Sequence, residues 1–474
     1  MVKFSKRTLL KVTTAAAVLG PRTLLAQSPR LMEGPMVGHV TSTSIVIWVR
    51  TSWPIPVSVE YDSSPNFTAP KRTQAVTPQD LNDMTAQIVV ADLKPATTYY
   101  YRILIDGRLE RYQDDLPLFP VKTAPPDNWR GKFTVAMGSC ARVMQDPIQP
   151  VWRAIQDASP DLFFWLGDNI YADTLHADVF AEEYRRQRAV PASQPVLRSV
   201  PQLAVWDDHD FGVNDGDRRN PEKHTALEQF KRYWANPSYG TNDTPGVFFK
   251  YTYGGVDFFF MDCRMYRDPN EDEDSPTKTM LGAGQLAWIK KELIASTAPF
   301  KMLITGSGWS AAKGHGGDSW ASHITERNGL FDFIRDNKIG GVVLLSGDTH
   351  VAELNCIPWS EKGGYDFYDL TTSPLAQRPE VSFLDRSPEV RIRQVFNRDS
   401  NFGLITFDTS GDTDPGPVLS YNVYDTHGRA AWTPMRLKAS DLQNGVSSWR
   451  EKIDALSLER QERWTAGGPY YPVR

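Results

Sequence analysis

Three cysteines in 474 residues, Cys140, Cys263 and Cys356, are too few for a disulfide framework. Their odd number leaves at least one thiol unpaired in an oxidising compartment. A dominant charge is also missing: 52 Lys and Arg stand against 57 Asp and Glu, a formal net charge of -5. That balance creates no field to draw in nucleic acid or an anionic membrane surface. No apolar run reaches the ~20 residues needed to span a bilayer, so no transmembrane anchor is expected. Internal repeats, coiled coils and low-complexity tracts are absent, and no GxSxG elbow points to a serine hydrolase. The acidic run NEDED at 270–274 lacks the Gly and terminal Glu of a calcium loop and reads as solvated loop. GSGWSA at 306–311 fits the loose GxGxxA pattern, but no second strand with an acidic end follows; it reads as a turn.

What remains is an ordinary globular composition, 41% hydrophobic and 23% charged, in a chain long enough for about two domains. Lys3, Lys6, Arg7 and Lys11 precede the apolar residues 12–19, and Ala26 stands before Gln27, the layout of an export signal over residues 1–27. SKRTLLK resembles a twin-arginine signal in which Lys6 replaces the first Arg. The mature product is expected to be periplasmic or secreted and monomeric.

Residues 31–125 alternate in short β-branched and aromatic runs, HVTSTSIVIWVRT, VSVEYDSS, TAQIVVADL and TTYYYRILID, which predict a small antiparallel sandwich. LKPATTYYYRILIDG resembles the penultimate strand of a fibronectin type III-like domain with a tyrosine corner. From 132 the pattern changes. FTVAMGSCA, DLFFWLGDNIY, QLAVWDDHD, VDFFFMDCR, KMLITGSGW and GVVLLSGDTHV are apolar runs that each stop at Gly, Asp, Cys or His. Helical patterns such as PVWRAIQDA, ALEQFKRYWA, GQLAWIKKELIAS and NGLFDFIRDNK lie between several of them. An α/β domain over 130–430 follows. NFGLITFDT and VLSYNVYDTHGRAAWT read as closing strands, and residues 431–474 as a helical segment on the core, with an amphipathic helix at 442–463.

The run DLFFWLGDNIY at 161–171 organises the rest: a buried strand ending in Asp168, with Tyr171 three residues on. A carboxylate followed by a phenol suits a hard trivalent ion such as Fe3+. The same kind of strand end collects Cys140, Asp207, Asp208, His209, Asp348 and His350, which a random solvated loop would not do.

GSC at 138–140, GDNIYAD at 167–173, WDDHD at 206–210, SGDTH at 346–350 and DSW at 318–320 resemble the motifs of PhoD-type alkaline phosphatases and phosphodiesterases, within the calcineurin-like metallophosphoesterases. The resemblance covers residues 31–430. It implies a four-layer α/β/β/α core preceded by the small sandwich, and a cluster of Fe3+ with one or two Ca2+. On it, Cys140 and Tyr171 correspond to iron ligands, Asp168 bridges the metals, and His350 supplies nitrogen. Asp208 stands where commoner relatives have Asn, and Asp348 where they have His. Anionic oxygens in both places favour Ca2+ over Zn2+. Asp207, Asp210 and Asn214 are possible further ligands or supports. The implied reaction is hydrolysis of a phosphate mono- or diester by metal-activated hydroxide. Arg142 would receive phosphoryl charge, and His209 would orient phosphate or protonate the leaving oxygen. The alternatives are a phosphodiesterase of phospholipase D-like specificity and a non-catalytic cell-surface binding protein with a relic core.

Overall fold

The computed structural model describes residues 29–109, 118–380, 389–411, 416–455 and 457. The expected export signal, residues 1–27, lies outside the described residues.

Two sheets form the larger unit. One runs in the order Gln202–Val205, Leu162–Leu166, Lys132–Gly138, Asn401–Asp408, Val418–Asp425, Met435–Lys438. Its first three strands are parallel and the rest antiparallel. The other runs Phe249–Tyr253, Val256–Phe260, Lys301–Ile304, Val342–Ser346, Phe367–Thr371, Glu353–Ile357, Val390–Arg391. Its second to fifth strands are mutually parallel.

Side-chain alternation explains how the sheets are covered. In Leu162–Leu166 every residue is buried, because both faces of the strand are used. Phe164 points into the gap between sheets and meets Phe258 and Phe260 edge-on, at 5.0 and 4.9 Å between ring centroids. Phe163 and Trp165 point the other way, onto Trp152 of the helix Val151–Ala158. The second sheet repeats the device: Phe259 turns outward to Trp288 of the helix Gly282–Ala295, and Phe367 stacks on Phe331 of the helix Ile324–Asp336. The result is four layers, helix, sheet, sheet, helix, with an aromatic core between the sheets.

Residues 29–109 and 118–122 form a smaller two-sheet β-unit. Its sheets are Leu31–Val40, Ile45–Thr51 and Thr85–Val90, and a second one built on Val57–Asp62 and Thr98–Ile105. It packs tightly onto the larger unit. Trp48 Nε1 donates to Arg232 O at 2.7 Å, Tyr101 Oη to Arg198 O at 2.8 Å, and Tyr251 Oη to Val40 O at 2.9 Å. Asp83 accepts from Arg50, Arg185 and Tyr233 at the same junction.

The C-terminal region differs from expectation. Met435–Lys438 is the edge strand of the first sheet rather than part of a helical segment. Among the described residues of 442–463, the helix covers Trp449–Lys452, and the chain before it is held by buried Leu442 and by Ser448 and Trp449 N–H groups donating to Asp366. The charge pattern read as one long helix face instead satisfies scattered partners such as Asp441 with Lys452.

Candidate active site

The carboxyl ends of strands from both sheets meet at one rim, the place where open α/β sheets carry their functional sites. Close approach there depends on glycine. Gly167 has φ +87°, and a Cβ on it would lie 2.7 Å from Asp207 Cβ; one on Gly347 would lie 2.4 Å from Leu166 O. Asp168, Cys140, Asp348 and His350 follow these strand ends with φ of 51°, 59°, 66° and 52°. Four left-handed non-glycine residues at one place carry strain that the surrounding contacts must hold, a pattern typical of functional sites.

Cys140 Sγ is fully buried and lies 3.4 Å from Asp168 Oδ2, and Ser373 Oγ donates to it at 3.2 Å. Tyr171 Oη donates to Asp168 Oδ2 at 3.3 Å and stands 3.1 Å from His350 Nε2. Ligand-type atoms of Cys140, Asp168 and His350 lie within 4.8 Å of one another, as do those of Asp168, Asp208 and His209. Asp168 is common to both groups. The imidazole of His209 lies over Tyr171 with centroids 4.1 Å apart, and its Nδ1 pairs with Asp173. Arg142 is exposed, with its guanidinium 5.1 Å above the same phenol.

Electrostatics describe a cluster short of positive charge. Burial, with the neighbouring Asp348, pushes the Cys140 thiol up to about 11. Burial and the Cys140 charge raise Asp168, and burial raises Tyr171. Burial works against the His209 cation, yet Asp168, Asp208 and Asp173 carry its pKa up to about 10. Burial and Lys313 bring His350 down to about 4. Asp168 Oδ1 and Asp208 Oδ1 are buried without a hydrogen-bond partner. The Cys140 thiol, the Tyr171 phenol, the His350 imidazole and the Asp168 carboxyl are thus held toward their neutral forms, a donor set a cation would complete, whereas against its burial Asp208 is held below the ordinary carboxylate value by Arg264 and His209.

The other expected residues have different surroundings. Asp207 Oδ1 accepts from Arg264 Nε at 2.5 Å and from Ser307 Oγ at 3.2 Å. Asp210 Oδ2 accepts from Asn169 N–H and Asp207 N–H at 3.0 and 3.2 Å, so it ties two strand ends together. Asn214 is exposed, and so is its neighbour Asp215, whose backbone N–H donates to Asp208 Oδ2 at 2.8 Å. Asp348 has one oxygen engaged by the Lys313 ammonium.

Sequence reasoning passed over Lys313, Arg264, Arg267 and Asp173. Arg264 is fully buried and forks between Asp207 and Asp318, while Arg267 reaches Asp318 Oδ1 at 2.7 Å. The Arg directly after MDC, at the end of a strand like the others, was the available signal. GSGWSA is a turn beside this site, where Ser307 and Gly306 back Asp207. His323 is buried with Nε2 3.1 Å from Asp268 O, and His315 is exposed.

A helix–sheet–sheet–helix sandwich with a thiol, phenol, imidazole and carboxylates at its joined strand ends defines a four-layer protein with a metal-competent centre. Residues 134–414 match the PhoD-like phosphatase family, and the chain belongs to that family. Residues 28–123 match a Domain of unknown function (DUF7800). Alkaline phosphatase D of Bacillus subtilis (strain 168) is 24% identical over 383 residues, 67% of this chain; the match spans 64% of that relative's length. Among solved structures, one of PhoD aligns with TM-score 0.65 and 18% identity, covering 90% of this chain and 97% of the other. Purple acid phosphatase PPD1 from yellow lupin (Lupinus luteus) seeds aligns with TM-score 0.59 and 14% identity, covering 90% of this chain and 75% of the other. At these identities the two structures speak for the shared fold.

Proposed function

We propose that this chain is an exported, metal-dependent phosphoric ester hydrolase. The observation that carries the reading is the pair of ligand groups sharing Asp168 at the strand ends, in a chain of the PhoD-like phosphatase family. Cys140, Asp168, Tyr171 and His350 would hold Fe3+, since thiolate and phenolate favour the oxidised ion. Asp168 and Asp208 would hold Ca2+; Asp348, committed to Lys313, is left out of this ligand set. Bound there, the ions would neutralise phosphoryl oxygens and lower the pKa of a water.

The remaining work falls to side chains. Arg142, exposed above Tyr171, is free to receive a phosphoryl oxygen through its guanidinium fork. With Nδ1 held by Asp173, His209 keeps Nε2 for donating a proton to the leaving oxygen. Its clamping on Tyr171 fixes the ring plane for that transfer. The amino-terminal unit reads as fibronectin type III-like: Tyr99 Oη accepts from Lys94 N–H at 2.9 Å, the bond of a tyrosine corner.

Metal analysis and rates on p-nitrophenyl phosphate and its bis-ester, from one purified sample, test the reading. Stoichiometric iron with turnover of either ester is expected, and the rate ratio separates a monoesterase from a phospholipase D-like diesterase. Iron-loaded protein should absorb in the visible, with the band shifted or lost in Tyr171→Phe. Protein without metal that cleaves neither ester would sink the proposal and favour a binding protein.

A further inference from the structure

Beside the Asp168 group lies a second corner, where Asp207, Asp318 and Asp348 each offer an oxygen within 4.8 Å of the others. Spacing alone would make it a cation site. Its partners argue otherwise. Arg264 pairs with Asp207 Oδ1 at 2.5 Å and with Asp318 Oδ2 at 2.5 Å. Arg267 and the Asn270 amide take Asp318 Oδ1 at 2.7 and 2.9 Å. Asp348 Oδ2 pairs with Lys313 Nζ, which also donates to Asp318 O at 3.2 Å. Three carboxylates therefore face three fixed cations, and the corner is charge-balanced by the protein itself.

The local sequence is shaped to deliver that ammonium. Lys313 ends a short 3-10 turn, Ala311–Lys313, capped by Ser310 Oγ. The following GHGG folds back: Gly314 N–H donates to Ala311 O at 3.0 Å and Gly317 N–H to Gly314 O at 3.1 Å. A Cβ on Gly317 would lie 2.8 Å from Lys313 Cβ, so only glycine lets the chain double back this closely onto the lysine. Asp318 then follows directly, within reach of Lys313 and both arginines.

We propose that Lys313 is a built-in cation that fills the Asp207–Asp318–Asp348 corner in place of a second divalent ion. The inference rests on the reading that the Asp168 group holds metal, and it sharpens that reading to one Fe3+ and one Ca2+ per chain. An ammonium in the corner repels a divalent ion in the same place, and its pairing with Asp348 consumes the oxygen such an ion would need. Asp207 Oδ2, buried without a hydrogen-bond partner, and the Asp348 oxygen released by Lys313 are the donors that would become available once the lysine charge is removed.

The test counts metal by mass spectrometry and by calorimetric Ca2+ titration in the full chain and in Lys313→Gln, Lys313→Met and Lys313→Arg, with thermal melts to verify folding. The expected result is one additional Ca2+ per chain in the Gln and Met variants and none in the Arg variant. Equal Ca2+ counts in wild type and both neutral variants would overturn the proposal. If neither neutral variant folds, the wild type decides, because more than one Ca2+ per chain would refute it and a single one would support it. Wild-type protein without any bound metal would instead refute the metal reading of the Asp168 group, whatever the variants do.

Discussion

Gly167→Ala tests whether the strand-end glycine sets the site geometry. Two costs are separable. A residue with a Cβ at φ +87° costs about 1–2 kcal/mol. The new methyl would also lie 2.7 Å from Asp207 Cβ, 3.1 Å from Asp207 N and 3.2 Å from Gly306 Cα. Two of those three atoms are backbone, which has little room to yield, so overpacking adds about 1–3 kcal/mol. The sum is about 2–5 kcal/mol. Gly363→Ala is the matched control: φ is +82°, with nothing within 4 Å of the added Cβ, so it carries the first cost alone, about 1–2 kcal/mol. Because Asp168 is the next residue, relief of the clash that shifts this strand end would displace the carboxylate shared by the two groups of ligand-type atoms. A displacement near 1 Å would cost about a hundredfold in kcat. Thermal melts at one scan rate, metal content and p-nitrophenyl ester turnover measure these effects. Gly167→Ala no less stable than Gly363→Ala, with metal content and turnover unchanged, would refute the reasoning.

Two other predictions concern charge. Burial opposes ionisation of Asp83, but hydrogen bonds from Arg50, Tyr233 and Arg185 hold its carboxyl below the ordinary 3.8. Its contribution is therefore full above the unfolded pKa and is lost as pH falls through the lower folded value. Asp83→Asn, which keeps tolerance for φ 50°, should lower the melting temperature at pH 7 and converge with wild type as pH falls through the folded value of Asp83; a difference that stays constant from neutral pH into acid would refute the assignment. Arg264→Ala leaves buried Asp207 without its ion-pair partner and removes one of the two arginines on Asp318, and should cost about 3–5 kcal/mol in a denaturant titration. Arg264→Lys should recover only part of that, since an ammonium cannot fork between Asp207 and Asp318.

Much of the core was legible because burial on both faces of a parallel strand leaves a continuous apolar run, and LFFWL, VDFFF and VVLLS are such runs. The residues just past them were legible for the same reason: a polar, metal-competent group after an apolar strand sits at a strand end. Cys140 and Asp168 come from neighbouring strands of one sheet, and His350 from the other sheet. The closing strand Met435–Lys438 was misread because four residues of alternating burial, in a stretch rich in charge, look as much like a helix face as an edge strand.

The chain's own order of residues determined the strand ends and the chemistry of the groups that follow them, since both depend on local pattern. Only the tertiary structure decided which carboxylates keep an unpaired oxygen and which are already neutralised. Asp168 and Asp208 keep an oxygen without a hydrogen bond, with Arg264 3.9 Å from that of Asp208; Asp318 and Asp348 are met by cations from Arg264, Arg267 and Lys313, and Asp207 pairs Oδ1 with Arg264 while its Oδ2 has no hydrogen bond. Long flexible cations reach across the fold from positions with no periodic signature, so their partners become visible only when the chain is packed.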